Sequence, residues 1–169
     1  ISSTVWAASV AASVGGSFAA GGAGIEAINN LDNRITASIR DAALELTDDN
    51  HTLTIIASQD SDVSSRGYAV GVAGSKAVSL AAVGGLARNE TSNVIDATLS
   101  NSQINTSPAD SQNPAADTEG TIQIEAMATG SFDTQVVGAV LALAGNFAGA
   151  VGVSRALNIK EDEVRARVT

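Results

Sequence analysis

Cysteine is absent from this chain, so disulfides and thiolate metal ligands are excluded. A single histidine, His51, excludes a histidine-cluster metal centre and argues against a Ser-His-Asp triad. Aromatic residues make up only 3% of the 169 positions, although compact cores ordinarily draw much of their buried area from Phe, Tyr and Trp. Basic residues are scarce as well. With 9 Lys and Arg against 18 Asp and Glu, the formal net charge is −9, which gives no general attraction for nucleic acid or anionic lipid. Charged residues of both signs total 16% and hydrophobic ones 44%, so the composition is not that of a disordered tail. What fills the interior must be Ala, Val, Ile, Leu and the 16 glycines, a set suited to thin, closely stacked layers.

The start, Ile1-Ser2-Ser3-Thr4-Val5-Trp6, has no basic region of the kind that opens a signal peptide. The longest apolar run, Val136 to Val153, has nearly the length of a membrane helix. Its counterparts elsewhere argue otherwise: stretch 67–84 contains Ser75, Lys76 and Ser79, and stretch 7–24 contains several Ser and Gly. A strand covered on both faces also reads as a continuous apolar run, and no membrane span is expected.

The chain repeats itself. Residues 27–39 (AINNLDNRITASI), 87–99 (ARNETSNVIDATL) and 156–168 (ALNIKEDEVRARV) share the pattern A-x-N-x-x-x-(N/D)-x-(I/V)-x-A-x-(I/L/V). The offsets are 87 − 27 = 60 and 156 − 87 = 69. A second block, Leu53-Thr54-Ile55-Ile56-Ala57, matches Ile122-Gln123-Ile124-Glu125-Ala126 at 122 − 53 = 69. The extra residues therefore fall in the polar segment 100–120, which holds both prolines and reads as an inserted loop; repeat arrays tolerate such differences. The chain is expected to be a single segment over 1–169, with repeats at about 1–60, 61–130 and 131–169, the last incomplete.

Within each repeat the period is 2. Ile35, Ala37 and Ile39 alternate with polar neighbours, as do Ile95, Ala97 and Leu99, and Val164, Ala166 and Val168. Strict alternation predicts half-buried strands with the apolar set inward. The Ala/Gly segments 5–26, 67–86 and 136–155 read as buried strands interrupted by glycine bends, with a helix as the alternative. Strands of about 5–8 residues and a long repeat predict an all-β fold, a right-handed parallel β-helix (β-solenoid). At about 20 residues per turn, each repeat would supply about three coils, stacked into a rod on the order of 35 Å long. No polar cap is visible at either terminus, so a segment of a longer repeat protein, or a subunit stacking end to end, is expected.

The Ala/Gly/Val tract followed by Ala87-Arg88-Asn89 and Ile95-Asp96-Ala97-Thr98-Leu99, with Ile55-Ile56-Ala57-Ser58, resembles the large filamentous adhesins of bacteria, the haemagglutinin- or leukotoxin-type repeat proteins. The resemblance covers nearly the whole chain. It implies a secreted or cell-surface β-helical protein with a role in adhesion or fibre formation, and it supplies no catalytic residues.

Asn29, Asn89 and Asn158 occupy one repeat position, and Asn33, Asn93 and Asp162 another. Asn suits turns and can stack at the corners of a solenoid, bonding backbone groups that the turn leaves free. Two structural columns are expected, with a ligand ladder as the lesser reading. Asp48, Asp49 and Asn50, with Asp60 and Asp62, form an acidic group that could hold Ca²⁺ through oxygens. Neither EF-hand spacing nor a calcium-binding nonapeptide is present, so a solvated acidic loop and no cofactor are expected. Sequons at Asn50, Asn89 and Asn105 matter only in a glycosylating secretory route. Carbohydrate-cleaving β-helices need clustered carboxylates and usually aromatic sugar platforms; the paired repeat positions carry no such cluster, and Trp6, Tyr68 and the Phe residues read as isolated. The expected function is therefore non-enzymatic: a structural or adhesive, extracellular or cell-surface segment that self-associates end to end and contacts a carbohydrate or protein receptor. The alternative is a carbohydrate-binding or polysaccharide-degrading domain.

Overall fold

The computed structural model describes residues 1–45, 51–105 and 120–169. These form eleven strands, and no helix occurs among the described residues. In chain order they are β1 (Ser2–Ala12), β2 (Phe18–Arg40), β3 (Ala43–Glu45), β4 (Thr52–Asp60), β5 (Val63–Gly74), β6 (Val78–Ser100), β7 (Gln103–Asn105), β8 (Thr121–Thr129), β9 (Phe132–Leu143), β10 (Phe147–Lys160) and β11 (Glu163–Val168). Each Ala/Gly segment is a pair of strands broken once, at 13–17, 75–77 and 144–146, so valine and glycine outweigh the helical preference of alanine.

The described pairings are parallel and in register with the sequence pattern. Ala87 lies beside Ala156 and Asn89 beside Asn158, an offset of 69 residues. Leu53 pairs with Ile122 and Val63 with Phe132 at the same offset, whereas Ala43 pairs with Gln103 at 60. The change from 60 to 69 falls between Asn105 and Thr121, where the inserted loop is expected. A smaller change was not visible in the sequence pattern. Ser2 pairs with Ser64, an offset of 62, because five residues separate β1 from β2 but three separate β5 from β6.

The expected short strands and 20-residue coils do not occur. β2 and β6 run for 23 residues each, and neighbouring strands are 60 to 69 residues apart in sequence. A full repeat thus contributes one layer of strands, not three. The physical reason is the unbroken alternation through β2: from Ala19 to Ile39 every odd residue is the less exposed one, Asn29 and Asn33 included. Nothing there forces a corner, so the strand continues.

The chain divides into two compact units, each gathered from three stretches. Unit 1 comprises Ile1–Asn30, Asp62–Thr91 and Ser131–Lys160. It contains the sheet β1-β5-β9 and a second sheet in which the first parts of β2 and β6 are joined by β10. Ile25, Ala69 and Val83 centre its core, with Val5, Ala7, Ala23, Val136 and Val140 packed around them. Small residues let the two sheets come close. A Cβ added at Gly71 would lie 2.9 Å from Val83 Cγ2 and 3.1 Å from the Ala82 carbonyl oxygen, leaving no room for a larger residue.

Unit 2 comprises Leu31–Ser61, Ser92–Gly130 and Glu161–Thr169. It contains the later parts of β2 and β6, with β11 paired to β6, and the two-stranded pairs β3-β7 and β4-β8. Its core is Ile55, Ala57, Ile95, Ala97 and Leu99, flanked by Ile35, Ala37, Ile39, Ile124, Ala126 and Ala128. These are the alternating residues of the sequence pattern. Asp41 and Asn101, one repeat apart at the ends of β2 and β6, adopt left-handed φ values of 51° and 46° that Asp and Asn tolerate.

Burial depends on the layer. In the middle copy, Ile95, Ala97 and Leu99 are buried, and so are Asp96 and Thr98 on the opposite face. In the third copy, Val164 and Val168 are 45% and 71% exposed, against the expectation that all three apolar sets are inward and covered. β11 has β6 on one side and no strand on the other among the described residues, so its apolar side chains lack a covering layer. The tracts of unit 1 were expected to be buried on both faces. Only one face is covered: Val10, Val70 and Leu141 lie on the other and are exposed.

Candidate functional site

The most ordered polar feature is a column of asparagine amides inside unit 1. Asn29, Asn89 and Asn158 lie within β2, β6 and β10, not at corners as expected. They come together as a ladder: Asn29 Nδ2 donates to Asn89 Oδ1, and Asn89 Nδ2 donates to Asn158 Oδ1, both at 3.1 Å. The amides also cross the interior. Asn29 Nδ2 donates to the Ser64 carbonyl at 2.6 Å, and Asn89 Nδ2 to the carbonyls of Val63 (3.2 Å) and Asp133 (2.9 Å). Ser65 Oγ donates to Asn89 Oδ1 at 2.6 Å. Asn89 and Ser65 are wholly buried, and their satisfied bonds offset the cost of desolvating an amide and a hydroxyl. Ser65, with Ser3 3.4 Å away, is a member that sequence reasoning missed. Its signal was parity: Ser3 and Ser65 share the inward face of β1 and β5 with Val5 and Ala7, and with Ala69.

A second column forms in unit 2. The backbone N–H of Asn33 donates to Asn93 Oδ1 at 3.1 Å, and Asn93 Nδ2 donates to Asp162 Oδ1 at 2.8 Å. Beside it, the largely buried Asp96 accepts from Thr98 Oγ1 at 2.6 Å and pairs with Arg167 of the next layer. The Thr98 hydroxyl, then the Arg167 guanidinium, hold the Asp96 carboxyl below the usual carboxylate range.

Of the acidic group, Asp60 and Asp62 lie among the described residues. Asp60 belongs to unit 2 and accepts from Thr129 Oγ1 at 3.1 Å. Asp62 belongs to unit 1 and accepts from Ser131 Oγ at 2.6 Å; the Ser131 hydroxyl and backbone N–H lower its pKa. Asp48, Asp49 and Asn50 lie outside the described residues, as does most of the 100–120 loop. Among the described residues, no three His, Cys, Asp or Glu side chains gather as a cation site.

One juxtaposition overturns the reading of Trp6 and Tyr68 as isolated aromatics. Trp6 and Tyr68 are stacked, with ring centroids 4.2 Å apart and planes 19° from parallel, because they are register partners in β1 and β5. Trp6 is 73% exposed. Near it, Tyr68 Oη bonds Gln135 Oε1 at 3.3 Å, and Arg66 bonds Asp133 at 2.7 Å. The pair was hidden because 62, the offset of β1 from β5, differs from the 60 of the sequence pattern.

No protein-family model, curated protein or solved structure matches this chain. No helix among the described residues is long and apolar enough to cross a membrane.

Proposed function

We propose that the chain is a structural or adhesive segment of an extracellular or cell-surface repeat protein, in which each repeat is one turn of a right-handed parallel β-solenoid. The supporting observation is the Asn29-Asn89-Asn158 ladder at the repeat offsets, buried at Asn29 and Asn89. Its amides are spent on layer-to-layer and cross-interior bonds, which makes it a device for fixing register, not for chemistry. Stacked layers would build a rod or fibre, and the loop at 100–120 and the outer strand faces would present receptor contacts. The bacterial filamentous adhesins remain the class whose sequence pattern the chain resembles. No enzymatic step, metal or nucleic-acid partner belongs to this reading.

A second reading is favoured by the Trp6–Tyr68 stack, an exposed aromatic surface flanked by guanidinium, carboxylate and amide groups of the sort that hold a sugar ring. Negative-stain electron microscopy across a concentration series separates the two. Fibres of uniform width that lengthen with concentration are the expected result. Compact particles at every concentration, binding soluble polysaccharide and losing it in Trp6→Ala, would overturn the structural reading in favour of the carbohydrate one.

A further inference from the structure

We infer that the outer faces of the two sheets of unit 1 are matched docking surfaces, and that their occupant is a second copy of this chain, set beside the first in the same orientation. This adds a lateral partner to the structural reading above and does not depend on growth along the stack.

The first observation is exposure in the middle layer. β5 has β1 on one side and β9 on the other, and the first part of β6 lies between β2 and β10. Their outer faces are therefore bare for a reason other than a missing strand. Val70 on the outer face of β5 is 44% exposed, and Leu80 on the outer face of β6 is 42% exposed. In the flanking layers Val10 and Leu143 are exposed on the first of these faces, and Phe18 and Phe147 on the second. Contiguous apolar surface of this kind marks an interaction site.

The second observation is fit. Through the interior of unit 1, Ser65 bonds Asn89 Oδ1 at 2.6 Å, and a Cβ added at Gly71 would lie 2.9 Å from Val83 Cγ2. Rising numbers in β5 thus face falling numbers in β6. On the opposite outer faces, Val70 stands level with Gly84, Val72 with Ala82, and Gly74 with Leu80, a branched side chain with a small residue each time. The flanking layers are set the same way, since Gly21 approaches Ala11 and Gly138 approaches Ser154. Val10 is then level with Gly22, and Leu143 with Gly149; Leu141 with Val151 is the exception. A copy displaced along the sheet normal lays its row Val10-Val72-Leu141 over Gly22 and Ala82 of the first. There the outer face of β2, β6 and β10 has a concavity of about 550 Å³, walled by Leu80, Phe147 and Val151. Large side chains set against small ones let facing sheets interdigitate. Two copies joined through the same face would instead oppose Val10, Val72 and Leu141 to one another.

The third observation is extent. The match ends at Arg66, which stands level with Arg88. Each guanidinium already has its own carboxylate at 2.7 Å, Asp133 for Arg66 and Glu90 for Arg88. The apolar part, residues 68–74 and their partners on three strands, measures about 20 Å by 14 Å, or roughly 300 Å² on each copy. A stable dimer buries about 800 Å² per partner, so this contact is weak and reversible. The net charge of −9 opposes it, and salt screens that repulsion. A lipid surface would cover one outer face, whereas a second copy uses both, and a contact between unlike faces repeats without closing.

The native chain has no cysteine, so engineered ones report contacts cleanly. Val70→Cys and Gly84→Cys are prepared as separate proteins; a Cβ at Gly84 meets no atom within 4 Å, so the second is accommodated. Within one copy the two thiols have both sheets between them, beyond a short bis-maleimide. Each protein is treated with that reagent alone and mixed with the other, in high salt at high protein concentration. The mixture is expected to give on the order of ten-fold more covalent dimer than either protein alone. Gly84→Phe, which fills the small position, is expected to keep the native Tm and to abolish the concentration dependence of sedimentation. Covalent dimer from Val70→Cys alone at the level of the mixture would overturn the inferred orientation in favour of a symmetric contact. Flotation with phosphatidylcholine vesicles that is lost in Val70→Glu, with no covalent dimer, would overturn the second copy in favour of a lipid surface. Fibres in electron micrographs with no covalent dimer in any sample would overturn the lateral contact and leave the structural reading standing.

Discussion

Asn89 ties layers and facing sheets together through one buried amide. Its amide joins three layers and reaches two carbonyls of the facing sheet without contact with water. Replacing it by alanine takes the side-chain donor from the Val63 and Asp133 carbonyls and removes the acceptor that Ser65 and Asn29 share, at a cost on the order of 3 kcal/mol. Asn158→Ala, at the exposed end of the same ladder, costs less than about 1 kcal/mol. Urea denaturation at one protein concentration measures both, and equal losses would contradict a buried, layer-spanning role for Asn89. The two columns were legible in the sequence because identical residues recur at identical repeat positions. Their environment was not. Asparagine is a turn former by statistics, and only the uninterrupted alternation around Asn29 places it inside a strand, facing in. Asp96 carries a second prediction. Thr98 and Arg167 lower its pKa in the folded chain, so the folded form takes up this proton less readily than the unfolded form. Its contribution is complete above the unfolded value of about 3.9 and is lost as pH falls through the lower folded value. The difference in Tm between the native chain and Asp96→Asn should therefore shrink below about pH 4. A difference that stays constant from pH 6 to pH 2 would contradict it.

At the scale of elements, period 2 identified the strands and the offsets identified their neighbours, as the pairing of Leu53 with Ile122 and of Ala87 with Ala156 shows. Strand length was misjudged. Short strands were expected because Asn29 and Asn33 read as solenoid corners. In β2 both face inward and join the columns, while Asn30 and Asp32 face water, so no turn is needed. The stacking of Trp6 on Tyr68 was also out of reach. It depends on a two-residue difference in the turns that follow β1 and β5, in segments of glycine and serine that carry little alignment signal. The asymmetry between layers has a similar origin. Val164 and Ile95 stand at equivalent positions, but one belongs to an edge strand and the other to a strand flanked on both sides.

At the scale of the whole molecule, a repeat of 60 to 69 residues contributes one parallel layer, and successive repeats stack in fixed register. The fibre reading and the burial of Asn89 both depend on this claim. The claim also explains a core built with so few aromatics. Layers held together by strand ladders and close-packed Ala, Gly, Val and Ile do not need wide side chains to fill a deep interior. Disulfide mapping within a single chain tests it most directly. Val70 and Ala139 are register partners on the outward face of β5 and β9, whereas Val140, one residue further on, packs toward the core. The double variant Val70→Cys with Ala139→Cys should oxidise readily to an intramolecular disulfide in dilute native protein. Val70→Cys with Val140→Cys should not, because a shift of one residue turns the second thiol to the opposite face. Equal oxidation of the two variants, or preference for the second, would contradict the stacking of repeats in register.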